Sequence, residues 1–563
     1  MSLAQRSVTS SIYNIAANVI GLAVGFVGSI ALARLLEPEV FGVFAFVTSV
    51  VQLTTALPTF GFPAAFMHRT GGEAGVTEEI LRVYFTLKLL FSLAWAALMA
   101  VGATLFAPEH TRWVFWIIIA TTFVAQQTTV IDVLLTRRVQ FRRLAIAQAV
   151  ITVARMLVSV GLAWRGWGLW ALLCAQIVAV TVEVTLLYVI RPVWRPHVGW
   201  SKELVRYFIG FGSKVFGTAL LLEALDRVDD IWTGVALGDR ALGFYDKAYG
   251  FATYPRQVLT TPLVQVVVGT YTELLGDRPR LSRTFSWINM LMARANFWVA
   301  ALLWLVAPEF IRLALGDKWL PILEAFQLML VYTMFDPIKN MISSLLILSG
   351  APERVIRARI IQLVVMVAGL VTLGPWLGIA GVALAVDVML VVGMVILYAE
   401  ARRFVDFSLR RFLGIPTLAL GLGIAAVYGV LALSGVGEND WLTGLVKGLV
   451  FSFIYASVLV LVEHEQLFDI LHTLSDPLHD LLDHLLYLPI LNLTRPGACT
   501  TTPDRSHAAQ AGRARGSHRQ PVGATQAPQA GLRRGAGSPA GDRCGAAEGI
   551  DEASAGWGTG PPV

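Results

Sequence analysis

The sequence predicts an all-α membrane protein that crosses the bilayer about fourteen times. Of its 563 residues, 56% are hydrophobic and only 15% are charged, whereas soluble domains carry about 25% charged residues. The apolar residues stand in continuous runs of roughly 20, the length that a helix needs to cross a membrane. A membrane β-barrel is not favoured, because its strands would alternate apolar and polar residues.

The predicted spans follow one another along the first 462 residues. They cover residues 11–33, 40–66, 82–106, 113–135, 145–164, 167–190, 208–235, 244–269, 286–306, 320–348, 357–375, 378–399, 413–433 and 442–462. The first run is longer than the 7–15 apolar residues of a signal peptide. We therefore expect it to remain as a membrane helix.

Basic residues are divided unevenly between the alternate loops. With a cytoplasmic N-terminus, the inner segments hold 21 Lys and Arg residues and the outer loops hold six. The positive-inside rule then predicts that both termini are cytoplasmic. The net charge of +6 is not gathered on one soluble face, so no nucleic-acid partner is expected. The three cysteines give no disulfide framework.

Two glycine turns recur along the chain at similar spacing. LLEPEVFGVFAF and LGDRALGFYDKA pair Gly42 with Gly243, and RGWGLWAL and GPWLGIAGVAL pair Gly168 with Gly378. These matches predict an internal repeat. The predicted domains are two six-helix bundles at 1–200 and 201–405, and two additional transmembrane helices at 406–462.

The C-terminal part of the chain differs in composition. Residues 463–493 predict an amphipathic segment at the membrane interface. It holds four of the nine histidines, but Pro477 breaks the face that a metal site would need, so no metal is expected. Residues 494–563 have few large apolar side chains, and this composition predicts a disordered tail.

The seventh predicted span carries an unusual density of charge. Five charged residues fall within eight positions: Glu223, Asp226, Arg227, Asp229 and Asp230. Each would cost about 2.5–3.5 kcal/mol in contact with lipid, so the group must face protein or water. All except Asp229 follow the i, i+3, i+4, i+7 spacing of one helix face. Asp229 lies off that face and nearer the predicted outer end.

Other spans from both proposed bundles also contain ionisable residues, which predicts a hydrated central cavity. Guanidinium and ammonium groups there could bind an anionic head group, since the guanidinium fork matches phosphate. The predicted substrate-binding cations are Arg155, Lys214, Arg227, Arg256, Arg294 and Lys339. The candidate ion-coupling carboxylates are Glu223, Asp226, Asp230, Asp336 and Asp387. The alternative is that these charges form structural ion pairs that hold helices together.

Several catalytic patterns are absent from the sequence. It contains no G-x-x-x-x-G-K-[ST] loop for ATP, no H-E-x-x-H zinc pattern and no G-x-S-x-G nucleophile elbow. The predicted outer loops are short and leave little room for a catalytic domain. We therefore expect no enzyme activity and no cofactor, with transport driven by an ion gradient or by substrate concentration.

Four stretches carry a resemblance to a known family. They are ALARLLEPEVFGVFAF (31–46), LDRVDDIWTGVALGDRALGFYDKAYGFATYPRQV (225–258), APEFIRLALGDKWLPILEAFQLM (307–329) and LILSGAPERVIRARI (346–360). In this order they resemble the polysaccharide transporter (Wzx-type lipid-linked oligosaccharide flippase) family. Its superfamily also holds multidrug and toxin extrusion antiporters and lipid II flippases. The resemblance covers about residues 8–462.

The resemblance implies a V-shaped pair of six-helix bundles with two extra helices, in the bacterial cytoplasmic (inner) membrane. It implies alternating access that flips undecaprenyl-pyrophosphate-linked oligosaccharides for O-antigen, capsule or exopolysaccharide. The expected partners are this lipid-linked substrate and membrane lipids, with polysaccharide polymerase and chain-length proteins as candidates. Asp226 and Arg227 match the family pattern in the seventh span. Asp229 and Asp230 depart from it, make the segment more acidic and suggest coupling-ion binding.

Two alternatives remain open at this point. A cation-coupled multidrug antiporter could use the acidic cluster at 223–230 to bind Na⁺ or H⁺. A membrane saccharide polymerase or ligase would need a large outer loop carrying Arg or His, and the sequence predicts none.

Overall fold

The structure, a computed structural model, describes residues 21–70, 75–190, 192–434 and 439–462. Within these ranges all regular secondary structure is helical, which confirms the predicted all-α class. Part of the first predicted span (11–20), the amphipathic segment (463–493) and the tail (494–563) lie outside the described residues.

Most of the described helices are long enough to cross a bilayer. In chain order they are α1 (Gly21–Leu35), α2 (Pro38–Leu53), α3 (Ala56–Thr59), α4 (Phe62–Arg69), α5 (Glu78–Phe106), α6 (Glu109–Arg137), α7 (Phe141–Trp164), α8 (Leu169–Val184), α9 (Lys202–Leu237), α10 (Asp239–Leu274), α11 (Arg278–Phe310), α12 (Leu323–Leu348), α13 (Pro352–Ala401), α14 (Leu409–Ser434) and α15 (Asp440–Val462). A π-helical turn, Thr185–Ile190, follows α8. A π-helical turn, Ile311–Leu315, and a 3₁₀ helix, Asp317–Ile322, connect α11 to α12.

These helices agree with the predicted count of about fourteen spans. In the described part of the chain, ten helical segments are long and apolar enough to cross a membrane by themselves. One of them, α13, has 50 residues and consists of two helices that meet at a kink. Gly378 forms the kink with φ 60° and ψ −137°, and each of the two helices corresponds to one predicted span. α1, α10 and α12 occupy the first, eighth and tenth predicted spans.

The outer faces of the helices are strongly apolar. Phe106, Trp376 and Leu433 are 86%, 88% and 91% exposed, and they belong to a large set of exposed Leu, Val, Phe and Trp side chains. Soluble monomers rarely expose contiguous apolar surface on this scale. The protein is therefore a multi-pass membrane protein whose exposed helix faces contact lipid.

The second predicted span is not one straight helix. α2, α3 and α4 are separated by breaks, and at the second break Phe60 and Gly61 both adopt left-handed conformations, with φ 39° and 67°. Gly212 of α9 lies against this break, where a Cβ atom would come within 2.3 Å of the Phe60 carbonyl oxygen. The two prolines that flank the break, Pro58 and Pro63, were the sequence signal for it.

Two glycines allow α2 and α10 to pack backbone against backbone. A Cβ atom on Gly42 would lie 1.7 Å from the carbonyl oxygen of Asp239, and one on Gly243 would lie 1.8 Å from that of Pro38. The contact is reciprocal, because each glycine faces the residue four positions before the other. We call this contact the glycine joint.

The loops beside the glycine joint are tied together by side chains. Lys318 Nζ donates to the carbonyl oxygens of Arg34 (3.2 Å) and Leu36 (2.8 Å), and Trp319 Nε1 donates to that of Ala33 (2.8 Å). The guanidinium of Arg34 in turn donates to the carbonyls of Ala314 and Leu313. These bonds satisfy carbonyls at the ends of two helices. We call the group Arg34, Lys318 and Trp319 the loop clamp.

An aromatic cluster covers the same end. The Trp319 ring meets Phe41 at 5.8 Å and Phe244 at 5.7 Å between ring centroids. Lys247 Nζ lies 3.9 Å from the centroid of the Phe41 ring. The glycine joint, the loop clamp and this cluster connect helices at the end of the molecule that the charge distribution predicts to be extracytoplasmic.

Candidate functional site

Asp336 of α12 organises a group of charged residues in the second half of the chain. Its carboxylate accepts from Arg256 Nη1 of α10 at 2.8 Å and from Asn340 Nδ2 at 2.8 Å. Its other oxygen lies 2.8 Å from Lys339 Nζ. Lys339 and Asn340 stand three and four positions after Asp336, so the helix brings all three side chains to one face.

The two cations stay partly accessible although their shared partner is buried. The side chain of Asp336 is 1% exposed, whereas those of Arg256 and Lys339 are 29% and 14% exposed. The Tyr332 hydroxyl lies 3.5 Å from Arg256 Nη1. One carboxylate thus holds two cations in place and balances only one of their charges.

Three charged residues of α9, namely Glu223, Asp226 and Arg227, are connected electrostatically to this group. Asp226 interacts with Arg227, Arg256, Lys339 and Asp336. Glu223 interacts with Asp226 and Arg227, and Arg359 of α13 interacts with Asp226. The resulting set holds three carboxylates and four cations, which leaves one net positive charge: Glu223, Asp226, Asp336, Arg227, Arg256, Lys339 and Arg359. We call it the central charge cluster.

The two remaining acidic residues of the run at 223–230 have a different environment. Asp229 and Asp230 are only 6% and 9% exposed. The Tyr245 hydroxyl of α10 donates to Asp229 Oδ2 at 2.7 Å, and the Ser49 hydroxyl of α2 donates to Asp230 Oδ2 at 2.8 Å. Asp230, whose spacing predicts the same face as Glu223, Asp226 and Arg227, is therefore packed against α2, although Arg227 Nη1 lies 3.7 Å from it.

The other predicted site residues are distributed over several places. Arg155 is exposed on α7 and interacts with Tyr254, two residues before Arg256 on α10. Lys214 is exposed on α9. Arg294 is 5% exposed on α11, and its backbone carbonyl accepts from the Tyr455 hydroxyl of α15 at 2.9 Å.

Asp387 lies on the second part of α13. It is 6% exposed and interacts with the backbone of Tyr332. Within the described residues its Oδ1 has no hydrogen-bond partner. Tyr332 in turn contacts Arg256. Asp387 is therefore separated from the central charge cluster by one residue, Tyr332.

Sequence reasoning missed two basic residues. Arg359 lies near the start of the eleventh predicted span, and Asp226 is within its electrostatic range. Lys88 lies inside the third predicted span, is fully buried, and donates from Nζ to Gln126 Oε1 at 2.6 Å. Both were visible as charged residues within or beside an apolar run.

Two cavities lie beside these helices. A cavity of about 340 Å³ is bounded by α1, α10, α11 and α12, and its walls include Phe26, Tyr254, Pro255 and Phe310. A second, of about 620 Å³, lies among α2, α5, α6 and the end of α9. In the described part of the chain no cluster of three or more His, Cys, Asp or Glu residues could hold a metal ion.

Comparison with known proteins identifies the family. A family profile described as "polysaccharide biosynthesis protein" matches residues 31–324. This match spans more than half of the chain. The protein belongs to this family. The matched region includes the glycine joint, the loop clamp and the part of the central charge cluster on α9 and α10.

Curated relatives of this family member include two proteins from bacteria. The succinoglycan biosynthesis transport protein ExoT of Rhizobium meliloti (strain 1021) is 24% identical over 51% of this chain and 58% of its own length. The chain thus matches little more than half of that relative. The lipopolysaccharide biosynthesis protein WzxC of Escherichia coli (strain K12) is 21% identical over 76% of this chain and 89% of its own length.

Two solved structures share the fold. The lipid II flippase MurJ in an inward closed conformation has a TM-score of 0.67 at 14% identity, and the match covers 82% of this chain and all of that one. An inward-facing multidrug resistance transporter of the MATE family has a TM-score of 0.54 at 15% identity, over 70% of this chain and 97% of that one. These names denote transporters and flippases, and they give no support to the polymerase or ligase alternative.

Proposed function

We propose that the protein is a flippase that moves undecaprenyl-pyrophosphate-linked oligosaccharides across the bacterial cytoplasmic membrane for surface polysaccharide synthesis. The observation that carries this proposal is the Arg256–Asp336–Lys339 group, which holds two partly accessible cations on helices of a membrane protein. Charges within membrane spans are costly and are retained mainly where they bind substrates or ions.

The chemistry of this group fits a pyrophosphate. Two adjacent phosphates offer several oxygens, which a guanidinium fork and an ammonium group can bind together. Asp336 holds both cations in position before the substrate arrives. Binding would therefore cost little side-chain conformational entropy. Neutralising any carboxylate of the central charge cluster would increase the net positive charge of the cluster. The cluster would therefore favour an anion throughout the transport cycle.

The apolar cavity beside α1 fits the lipid part of such a substrate. Tyr254 and Pro255 line it and immediately precede Arg256 on α10. A polyprenyl chain could therefore lie against apolar walls while its pyrophosphate reaches Arg256. Arg155, which interacts with Tyr254, would approach the head group from the first half of the chain.

Alternating access would explain the specific contacts of the glycine joint and the loop clamp at the predicted outer end of the molecule. In the proposed cycle the glycine joint and the loop clamp close the outer end while the substrate enters from the cytoplasmic side. The carbonyl acceptors of Lys318 and Trp319 would have to be released for the outer end to open. This proposal follows the predicted orientation, with both termini in the cytoplasm.

The names of the relatives agree with this substrate class. One relative is named for succinoglycan biosynthesis transport and the other for lipopolysaccharide biosynthesis. We extend to this chain a role in supplying such units to a polysaccharide polymerase and its chain-length partners. The proposed two six-helix bundles, 1–200 and 201–405, would move relative to each other in this role.

Complementation in cells tests the proposal. In a bacterium that lacks its own flippase, the native protein should restore surface polysaccharide, whereas Arg155→Gln/Arg256→Gln/Lys339→Gln should not. Arg165→Gln/Lys202→Gln, which removes two exposed charges outside the cluster, is the matched control and should restore it. Normal surface polymer from the triple variant, at equal protein level in the membrane, would refute the proposal.

A further inference from the structure

A second group of polar residues, some buried and some half-buried, lies between α5, α6 and α8, on helices that the central charge cluster does not use. The Thr128 hydroxyl of α6 donates to Glu183 Oε1 of α8 at 2.8 Å. Asp132 follows Thr128 by four positions on α6 and interacts electrostatically with Glu183. Thus two carboxylates from different helices lie within electrostatic range of each other, and Thr128 links their helices.

A fully buried tyrosine hydroxyl is directed into this group. Tyr84 of α5 is 0% exposed, and within the described residues its hydroxyl has no hydrogen-bond partner. It interacts electrostatically with Asp132 and with Tyr188. Asp132 Oδ1 is likewise buried without a partner in the described chain. Buried polar atoms are rarely left unsatisfied, so these two point to a ligand that completes their contacts.

Three buried acids elsewhere in the described chain, unlike these two carboxylates, have a cation beside them. Asp336 holds Arg256 and Lys339, Glu309 holds Lys447 at 2.7 Å, and Asp230 meets Arg227. Among the ion pairs of the described residues, none involves Asp132 or Glu183. Lys88, the buried cation one turn after Tyr84, donates instead to Gln126. Two carboxylates without a cation repel each other strongly in an interior of low dielectric constant.

We propose that Asp132 and Glu183 together bind one small monovalent cation, either Na⁺ or a proton, with the Tyr84 and Thr128 hydroxyls completing the site. Oxygen atoms are the ligands that hard cations prefer, and two facing carboxylates can also share one proton. The inference rests on the proposed transport function, because a transporter without an ATP site needs another source of free energy. It places ion coupling in the first half of the chain, apart from the cations proposed for substrate.

The π-helical turn after Glu183 offers a way to transmit occupancy. Thr185–Ile190 directly follows α8 and carries Tyr188, whose hydroxyl donates to the Gln127 carbonyl at 2.8 Å. π-helical turns are frequent at functional sites. Neutralising the two carboxylates would draw α6 and α8 together at this turn.

Two readouts on the purified full-length protein test the site and identify the cation. The first is equilibrium binding of ²²Na⁺ at pH 8, with choline chloride as the ionic-strength control. The second is infrared difference spectroscopy of the protonated carboxyl band between pH 5 and pH 9. Sodium binding that Asp132→Asn and Glu183→Gln each reduce at least about tenfold would assign a Na⁺ site. A titrating carboxyl band that both substitutions remove would assign a proton site.

Two further variants keep this test independent of folding and of transport. Tyr84→Phe removes one oxygen and nothing else, and should weaken Na⁺ binding or shift the carboxyl band. Glu79→Gln, an exposed carboxylate on the same helix, should leave both readouts unchanged. If the native protein shows neither signal, or if the substitutions leave both unchanged, the proposed site is wrong. Because neither readout needs the oligosaccharide, that failure leaves the flippase proposal untouched.

Discussion

At the scale of single residues, Asp336 is a buried carboxylate that connects α12 to α10. It accepts from Arg256 and Asn340 and pairs with Lys339 while remaining 1% exposed. A buried carboxylate in this position fixes where the two cations point. Removing it would leave two positive charges near each other with no counter-charge between them.

Asp336→Asn should therefore lower the stability of the folded protein. Breaking a buried ion pair typically costs about 3–5 kcal/mol; because Arg256 is partly accessible to solvent, we expect a loss near the lower end of that range. The measurement is the apparent thermal midpoint of the purified protein. Asp336→Asn/Lys339→Met should recover part of the lost stability without restoring transport. An unchanged midpoint in Asp336→Asn would show that the carboxylate does not hold the cations.

The acidic run in α9 divides into two environments that its sequence does not distinguish. Glu223 and Asp226 belong to the central charge cluster. Asp229 and Asp230 instead accept hydrogen bonds from the hydroxyl groups of Tyr245 and Ser49. Helical spacing identified one face of α9 but not which neighbouring helices would supply donors. The partners lie 16 and 181 positions away in the sequence, so they required the fold.

Tyr245→Phe tests the buried environment of Asp229. It removes one hydroxyl, leaves the ring in place, and deprives a buried carboxylate of its side-chain donor. We expect a loss of about 1–3 kcal/mol, since a buried acceptor left without a donor keeps its desolvation cost. Tyr428→Phe, at a 56% exposed site, is the control and should change the thermal midpoint little. Equal midpoints for the two variants would argue that Asp229 finds another donor.

At the scale of helices, the glycine joint explains one of the two sequence matches. Gly42 and Gly243 correspond in the predicted repeat, and each packs against the backbone four residues before the other. Gly168 and Gly378 also correspond, and they share a backbone conformation, with φ 51° and ψ −124° against φ 60° and ψ −137°. Each predicted glycine pair thus has a shared local feature, while the division into two six-helix bundles stays a prediction.

Gly42→Ala should separate α2 from α10. The added methyl would meet the Asp239 carbonyl at 1.7 Å, so backbone atoms have to move, at a cost of roughly 1–3 kcal/mol. Gly102→Ala is the matched control, because a Cβ there has open space around it. Thermal unfolding of both variants measures the difference. A Gly42→Ala protein as stable as Gly102→Ala would mean that the two helices do not pack this closely.

The loop clamp predicts a local change in hydrogen exchange. Lys318→Met removes the donor to the carbonyls of Arg34 and Leu36. Exchange at residues 33–37 and 313–319 should increase several-fold, because the ends of both elements lose a cap. Lys447→Met, which breaks the pair with Glu309 between α15 and α11, should leave these segments unchanged. Exchange that stays the same in Lys318→Met would show that the clamp does not hold this end closed.

The elements themselves were largely predictable, because hydrophobic runs of fixed length determine membrane helices. The break at Phe60–Gly61 was signalled only by Pro58 and Pro63, and its position depends on how Gly212 of α9 packs against it. α13 consists of two helices that meet at a kink at Gly378, and they correspond to two predicted spans. Such details depend on contacts between helices, which a one-dimensional pattern does not contain.

At the scale of the whole molecule, the candidate site was predicted in composition more than in arrangement. Arg256, Asp336 and Lys339 are brought together as the phosphate-binding hypothesis requires. Arg294 is instead buried beside α15. Its charge alone could not show whether it faces a cavity or a neighbouring helix. Arg359 joined the cluster because α13 passes close to α9, a proximity that the sequence does not express.

The account as a whole depends on the claim that Arg256 and Lys339 bind a pyrophosphate. Equilibrium binding of undecaprenyl pyrophosphate and of undecaprenol to the purified protein tests it directly, since the two ligands differ only in the charged group. We predict that the native protein prefers the pyrophosphate by at least about tenfold, roughly 1.4 kcal/mol, and that Arg256→Gln/Lys339→Gln abolishes this preference. An undiminished preference in the double variant would contradict the claim.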